Sequence, residues 1–177
     1  VIPFAMADSY NGYGVVGTTP DYLENKSVSK GEMFEAGGTM QAIVGANVAK
    51  YCDLKVGDTI HTSHSASDLD KHAEGITVVG ILAETHSSYD NVVFTQLKTL
   101  WDMHDHGEHE EHEEGEEHHV HGTVCAAIVI SKNPGVAMQL VDEYDGKIIT
   151  DDDGDNYTLQ AIEPMSVMRD VLNDADD

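Results

Sequence analysis

The chain has few basic residues: 9 Lys and Arg stand against 33 Asp and Glu in 177 residues, which gives a formal charge of -24. Such a charge repels a phosphate backbone and an anionic membrane surface, so it strongly disfavours both as partners, and we expect no nucleic-acid binding. The longest unbroken apolar run, residues 124–130, is far shorter than the roughly 20 residues that a membrane helix needs. Cations are the partners that this composition favours.

Cysteine is also scarce, because Cys52 and Cys125 are the only two. They have no CxxC spacing, which excludes a zinc ribbon and a thioredoxin-type site, and the sequence leaves open whether they pair. There is no HExxH motif, no paired-carboxylate motif and no nucleophile elbow, so a hydrolase is disfavoured. The chain begins abruptly, without Met or a signal-peptide pattern, and we expect it to be a piece of a larger protein.

The order of apolar patterns predicts an α+β fold without internal repeats. Thr95 is the predicted N-cap of an amphipathic helix that ends at His104 and has one face formed by Leu97, Leu100, Trp101 and His104. The strand that follows residue 123 is apolar enough to be buried on both faces. The predicted strands lie in residues 1–7, 12–20, 41–44, 59–62, 75–85, 91–94, 124–132, 148–150 and 157–162. The predicted helices lie in residues 45–54, 95–104, 133–145 and 164–172.

Histidine is concentrated in one part of the chain, since all 11 lie between His61 and His121. Neutral imidazole is a good ligand for Zn, Ni, Cu or Co, and nearby carboxylates can complete a coordination shell. We therefore predict that this region binds a divalent transition metal, with zinc as the first choice. The candidate ligands are His61, His64, His72, His104, His106, His109, His112, His118, His119 and His121.

Residues 107–119 also have other interpretations. A run of His and Glu is often a solvated loop that cannot bury a core, and its many equivalent ligand sets suit a low-affinity collector of ions. Its carboxylates should raise the pKa of the imidazoles, which would make the loop sensitive to pH. A well-defined metal site is expected where rigid structure contributes a histidine, and His64, His72 and His104 are the candidates.

Five segments of the chain carry a series of motifs: VVGTTPDYLE (15–24), AIVGANVAKYCDLKVGDTI (42–60), TVVGILAET (77–85), VVFTQLKTLWDMH (92–104) and EPMSVMRDVL (163–172). The strongest motif is the G-x-x-V-A element followed by V-G-D and a V-V-G-I-L strand. In this order the segments resemble the extracytoplasmic domain of MacB/FtsX-like ABC transporter permeases, in a branch with His-containing segments. Cys52 stands where Leu is usual in that family.

The resemblance implies a Porter-like α/β subdomain at residues 1–33 and 123–177, lacking its first helix. A mostly β Sabre-like subdomain would be inserted at 34–122, with the His/Glu-rich loop at 104–122. It implies an extracytoplasmic domain, periplasmic or at the cell surface, of a protein of the inner or plasma membrane. The implied partners are a second permease subunit, a cytoplasmic ATPase subunit and a periplasmic or surface protein.

The function predicted from these observations is a non-enzymatic permease domain that transmits ATP-driven motion, contacts substrate or partner proteins, and binds a transition metal in the His-rich region. The alternative is a stand-alone periplasmic metal-binding protein for zinc storage or zinc delivery as a chaperone. In the first case the metal is a regulator, a bridge or cargo. In the second, the His-rich loop is the whole function.

Overall fold

The computed structural model describes residues 1–35, 37–64, 71–105, 122–151 and 154–168. The chain divides into two compact units, Val1–Ile128 and Val129–Asp177. Both contain helices and strands, which confirms the predicted α+β class. The assignment of Porter-like and Sabre-like subdomains stays a prediction.

A mixed eight-stranded sheet forms the first unit. Its order is β3-β6-β4-β7-β2-β1-β8, with β5 paired to β6, and the β2–β7 and β4–β6 pairs are parallel. The strands are β1 (Ile2–Tyr10), β2 (Tyr13–Thr18), β3 (Val28–Gly31), β4 (Gln41–Val44), β5 (Thr59–Ile60), β6 (Ile76–Leu82), β7 (Val92–Gln96) and β8 (Ala126–Ile128).

Alternate residues of the central strands serve two separate apolar cores. Val44 and Val93 belong to the larger core, which also contains buried residues of helices α1 (Ala46–Tyr51) and α2 (Leu97–Asp105). Ile43 and Phe94 belong to a smaller core with Leu23. Because neighbouring strand residues point to opposite faces, the sheet separates the two cores, and helices α1 and α2 cover the face with the larger one.

A β-bulge in β1 changes which face Asp8 occupies. Ala5 pairs with Gly17 and Asp8 pairs with Val15, so two residues of β1 stand opposite one residue of β2. Three positions apart, Ala5 and Asp8 would point to opposite faces in a regular strand, but the extra residue returns Asp8 to the face of Ala5. Ala5 and Val15 are both in the larger core. The bulge therefore turns a carboxylate toward the face that α1 and α2 cover.

The second unit contains helix α3 (Pro134–Tyr144), the antiparallel strands β9 (Ile148–Thr150) and β10 (Asn156–Thr158), and a helical turn at residues 164–168. Asn133 caps α3, because its side chain accepts a hydrogen bond from the backbone amide of Val136 at 3.0 Å. Pro134 occupies the first turn, where its missing N–H costs no intrahelical bond.

Two predictions about local structure are wrong. Thr95 is a residue of β7, not an N-cap, and its hydroxyl donates to the carbonyl oxygen of Gln41 at 2.8 Å. The strand after residue 123 is exposed along its described length, because β8 lies at the end of the strand order and β1 is its one neighbour in the sheet.

Cys52 and Cys125 are free thiols. Among the described residues, no helix has the length and apolar character to cross a membrane.

Candidate metal centre

Four side chains from separate parts of the sequence converge at the end of α2. Asp8 comes from the bulged part of β1, His64 from the segment after β5, His72 from the segment before β6, and His104 from the last turn of α2. One ligand atom from each lies within 4.8 Å of the others. We call this group the Asp8 cluster.

Backbone pairing brings three of these segments together. Ser9 and Ser63 exchange two backbone hydrogen bonds, of 2.8 and 2.9 Å, next to Asp8. The amide of His72 donates to the carbonyl oxygen of Thr62 at 2.9 Å. The positions of Asp8, His64 and His72 therefore follow from regular pairing between extended segments.

The fourth side chain of the cluster, His104, lies on helix α2. Leu97 and Leu100 are buried in the larger core, as predicted, and Met103 is buried beside them. His104 follows directly and its side chain is 31% exposed, so it stands where the helix leaves the core. Packing of the helix thus fixes the direction from which this imidazole approaches Asp8.

The distances within the Asp8 cluster match those between ligands of one ion. A tetrahedral zinc ion with bonds of about 2.0–2.1 Å separates its ligand atoms by roughly 3.3 Å. Oδ1 of Asp8 lies 3.2 Å from Nε2 of His104 and 3.6 Å from Nδ1 of His64, and Oδ2 lies 3.2 Å from Nε2 of His72. The ring centroids of the three imidazoles are 4.5 to 5.0 Å apart. Small side-chain movements would bring all four groups onto one ion.

Asp8 is the least accessible member of the cluster, with a side chain that is 0% exposed. Its Oδ2 accepts a hydrogen bond of 2.6 Å from the hydroxyl of Thr62. Its Oδ1 and Nε2 of His72 have no hydrogen-bond partner in the described part of the chain. A buried carboxylate that lacks full compensation is costly, and a bound cation removes that cost.

The ionisation of His104 suits metal binding. Burial lowers the pKa of His104 below its ordinary value; the charge of Asp8 opposes this shift, and the neighbouring imidazoles of His72 and His64 add to it. This shift favours the neutral ring, and neutral imidazole is the form that binds a metal.

The structure groups some of the predicted ligands and separates others. His64, His72 and His104 come together, whereas His61 is exposed and its Nδ1 contacts the backbone oxygen of His72 at 3.2 Å. The remaining predicted ligands lie outside the described residues: His106, His109, His112, His118, His119 and His121. Asp8 was not predicted, although a single carboxylate in the apolar stretch IPFAMADSY was a signal that could have pointed to it.

A second group of potential ligands, Glu84, His86 and Asp90, lies in the turn before β7. Glu84 and His86 are exposed, with 3.6 Å between Oε1 and Nδ1. Asp90 is buried, but its Oδ1 accepts hydrogen bonds from the amide and hydroxyl of Thr85 at 2.9 and 2.8 Å. This carboxylate is already satisfied, so the group has a structural explanation without an ion.

Comparison with known families bears directly on the context of the Asp8 cluster. The family model described as the MacB-like periplasmic core domain matches residues 1–144, most of the chain and all four cluster residues. The chain belongs to this family. Its members form the periplasmic part of ABC transporter permeases, which confirms the resemblance to this domain. The assignment to a branch with His-containing segments stays a prediction. The comparison with curated proteins gave no match.

Proposed function

We propose that this MacB-like domain is the extracytoplasmic part of an ABC transporter permease subunit and binds one divalent transition ion, zinc in the first place, at the Asp8 cluster. The observation that carries the metal proposal is the buried carboxylate of Asp8. It faces three imidazoles, and its Oδ1 has no hydrogen-bond partner in the described segments. One carboxylate oxygen and three imidazole nitrogens form a ligand set that suits zinc.

An ion pair between Asp8 and a protonated histidine is the competing explanation. The environment of His104 opposes it, since burial and two nearby imidazoles keep its pKa below the ordinary value despite Asp8. An ion pair between Asp8 and one ring would also leave the other two imidazoles without a common partner in the cluster. A divalent ion compensates the carboxylate and uses all three nitrogens at once.

The number of protein ligands favours a structural or regulatory ion. Catalytic zinc sites keep a position open for water or substrate and use three protein ligands, whereas structural sites are closed by four. Asp8, His64, His72 and His104 would fill a tetrahedral shell. We therefore propose that the domain has no hydrolytic activity of its own and works in transport.

The position of the Asp8 cluster indicates what the ion would do in a permease. It would tie α2 to β1 and to the segments on either side of residues 65–70, all within the first unit. We propose that zinc stiffens this unit so that it transmits motion driven by the cytoplasmic ATPase subunit, and that a permease dimer partner and a periplasmic or surface protein are its contacts. The family match favours this function over a stand-alone protein for zinc storage or zinc delivery.

Zinc titration by calorimetry tests the proposal. The wild-type protein should bind one equivalent of zinc tightly, and the His72→Ala variant should not show this tight binding. His61→Ala is the matched control, because this histidine lies beside His72 in the structure but outside the cluster. Equal binding by wild type and His72→Ala would contradict the assignment, as would equal losses in both variants.

The proposed coupling needs the assembled transporter. Zinc should change the rate of ATP hydrolysis by wild-type transporter and leave the His72→Ala transporter unaffected. A response of equal size in both would show that zinc acts elsewhere in the assembly.

A further inference from the structure

Thr62 contacts two of the four candidate ligands and has no role as a ligand in the cluster. It is completely buried, its hydroxyl donates to Oδ2 of Asp8 at 2.6 Å, and its carbonyl oxygen accepts the amide hydrogen of His72 at 2.9 Å. A single residue thus orients a carboxylate from β1 and the backbone that carries an imidazole. Partners of this kind, one step removed from the metal, set the geometry of the ligands themselves.

The hydrogen bond from Thr62 distinguishes the two oxygens of Asp8. A carboxylate binds a metal through one oxygen or through both, and the hydrogen bond that Oδ2 accepts makes that oxygen the weaker ligand. Oδ1 has no hydrogen-bond partner within the described chain and lies near His104 and His64, at 3.2 and 3.6 Å. Nε2 of His72 lies 3.2 Å from Oδ2, so this ring has to turn toward an ion held by Oδ1. Binding through Oδ1 alone gives four ligands with the three imidazoles, whereas binding through both oxygens gives five.

We infer that Thr62 is a positioning residue that holds Asp8 to binding through one oxygen and thereby makes the site four-coordinate. This inference rests on the proposed metal site and concerns which metal ion that site prefers. A tetrahedral site suits Zn²⁺ and Co²⁺, whereas Ni²⁺ gains from square-planar or larger coordination shells. Thr62 therefore favours zinc over nickel without touching the ion.

Cobalt spectroscopy on Thr62→Val tests this role, because valine keeps the shape of threonine and removes the hydroxyl. Wild type loaded with Co²⁺ should show the intense visible bands of a four-coordinate ion. In Thr62→Val these bands should weaken several-fold, zinc affinity should fall by about 10- to 100-fold, and the preference for Zn²⁺ over Ni²⁺ should narrow. Thr62→Ser, which restores a hydroxyl, should behave like wild type.

Thr95→Val is the matched control for the cost of losing a buried threonine hydroxyl. Thr95 is also completely buried and donates at 2.8 Å, but to the carbonyl oxygen of Gln41, which is outside the cluster. This variant should keep the cobalt spectrum and the zinc affinity of wild type. An equal loss in Thr95→Val and Thr62→Val would mean that the hydroxyl of Thr62 only supports the fold, and would overturn the inference.

The outcomes separate this inference from the proposed function. Without zinc or cobalt binding by wild type, the metal site itself is refuted. With four-coordinate binding by wild type and an unchanged spectrum in Thr62→Val, the site stands and the role of Thr62 is refuted. Should Thr62→Val fail to fold, zinc X-ray absorption on wild type decides: four nitrogen or oxygen neighbours near about 2.0 Å support the inference, and a fifth overturns it.

Discussion

The Asp8 cluster and the Glu84–His86–Asp90 group have similar chemistry and opposite settings. Both combine histidine with carboxylate within reach of a common ion. In the first, the buried carboxylate has an oxygen with no hydrogen-bond partner in the described structure, and its ligands come from four separate segments. In the second, Asp90 is bonded to Thr85 and the other two side chains are exposed. Histidine and carboxylate side chains often lie close together on a protein. A buried carboxylate oxygen without a hydrogen-bond partner is the feature that distinguishes a candidate metal site.

The largest expected effect comes from removing a ligand of the Asp8 cluster. His72→Ala should weaken zinc binding by at least about 100-fold, since loss of an outer partner alone costs 10- to 100-fold. His86→Ala, in the other group, should leave the affinity unchanged. Calorimetry on both variants measures the contrast. A loss in His86→Ala with retention in His72→Ala would reverse the assignment of the two groups.

Zinc should next stabilise the first unit through the Asp8 cluster. At a free concentration about 100 times the Kd, an ion that binds only the folded chain contributes about 2.7 kcal/mol, which raises Tm by several degrees. Thermal melts with and without zinc measure the shift. Asp8→Asn should abolish it, whereas Glu84→Gln should retain it. If Glu84→Gln alone abolishes the shift, the stabilising ion binds at the turn before β7.

A pH-dependent effect on stability should mark the structural role of Asp90. Desolvation raises the pKa of this carboxyl, but hydrogen bonds from Thr85 and from the amides of His86 and Ser87 outweigh it and hold the pKa below its ordinary value. A lowered folded-state pKa adds stability above the ordinary pKa and loses it as the pH falls through the lowered value. Asp90→Asn should therefore lower Tm at pH 7, and the difference from wild type should shrink below about pH 4.

Thermal melts of metal-free protein across this pH range measure the effect. Glu84→Gln is the control, because its exposed carboxylate contacts only His86 in the group and should change Tm little at either pH. A difference for Asp90→Asn that stays constant down to pH 3 would show that ionisation of Asp90 does not contribute.

The smallest effect is expected from replacing residues 106–121 by a Gly/Ser linker. The Asp8 cluster takes its ligands from outside this segment, so the affinity for the first zinc ion should change by no more than about twofold. Additional weak binding should disappear if the segment collects ions. Calorimetry gives both the affinity and the number of sites. Loss of the tight event would assign it to the replaced histidines instead of the cluster.

The sequence was sufficient for most elements of the fold because their apolar patterns are local. The apolar, β-branched run in residues 75–85 predicted β6, and the spacing of Leu97 and Leu100 predicted the buried face of α2. The exposure of β8 was not predictable from its apolar composition, because a strand's place in the sheet order is a property of the whole fold. The role of Thr95 was not predictable either, because its hydroxyl donates to the carbonyl oxygen of Gln41 on the neighbouring strand β4.

The candidate site was predictable only where its ligands are histidines. His64, His72 and His104 stood out by residue type and by their position near predicted elements. Asp8 did not, because its partner Thr62 is 54 residues away and a bulge reverses the face on which it lies. Neither pairing register nor a bulge can be read from the residues of one strand. The apolar stretch around Asp8 could mark it as unusual, but its place among the three histidines follows only from the pairing of the whole sheet.

Anomalous diffraction from zinc-loaded crystals, with data collected on both sides of the zinc absorption edge, tests the central claim most directly. One strong peak is expected within about 2.0–2.2 Å of a carboxylate oxygen of Asp8 and of one ring nitrogen each from His64, His72 and His104. A peak at other residues, or no peak at these four while they are ordered, would contradict it.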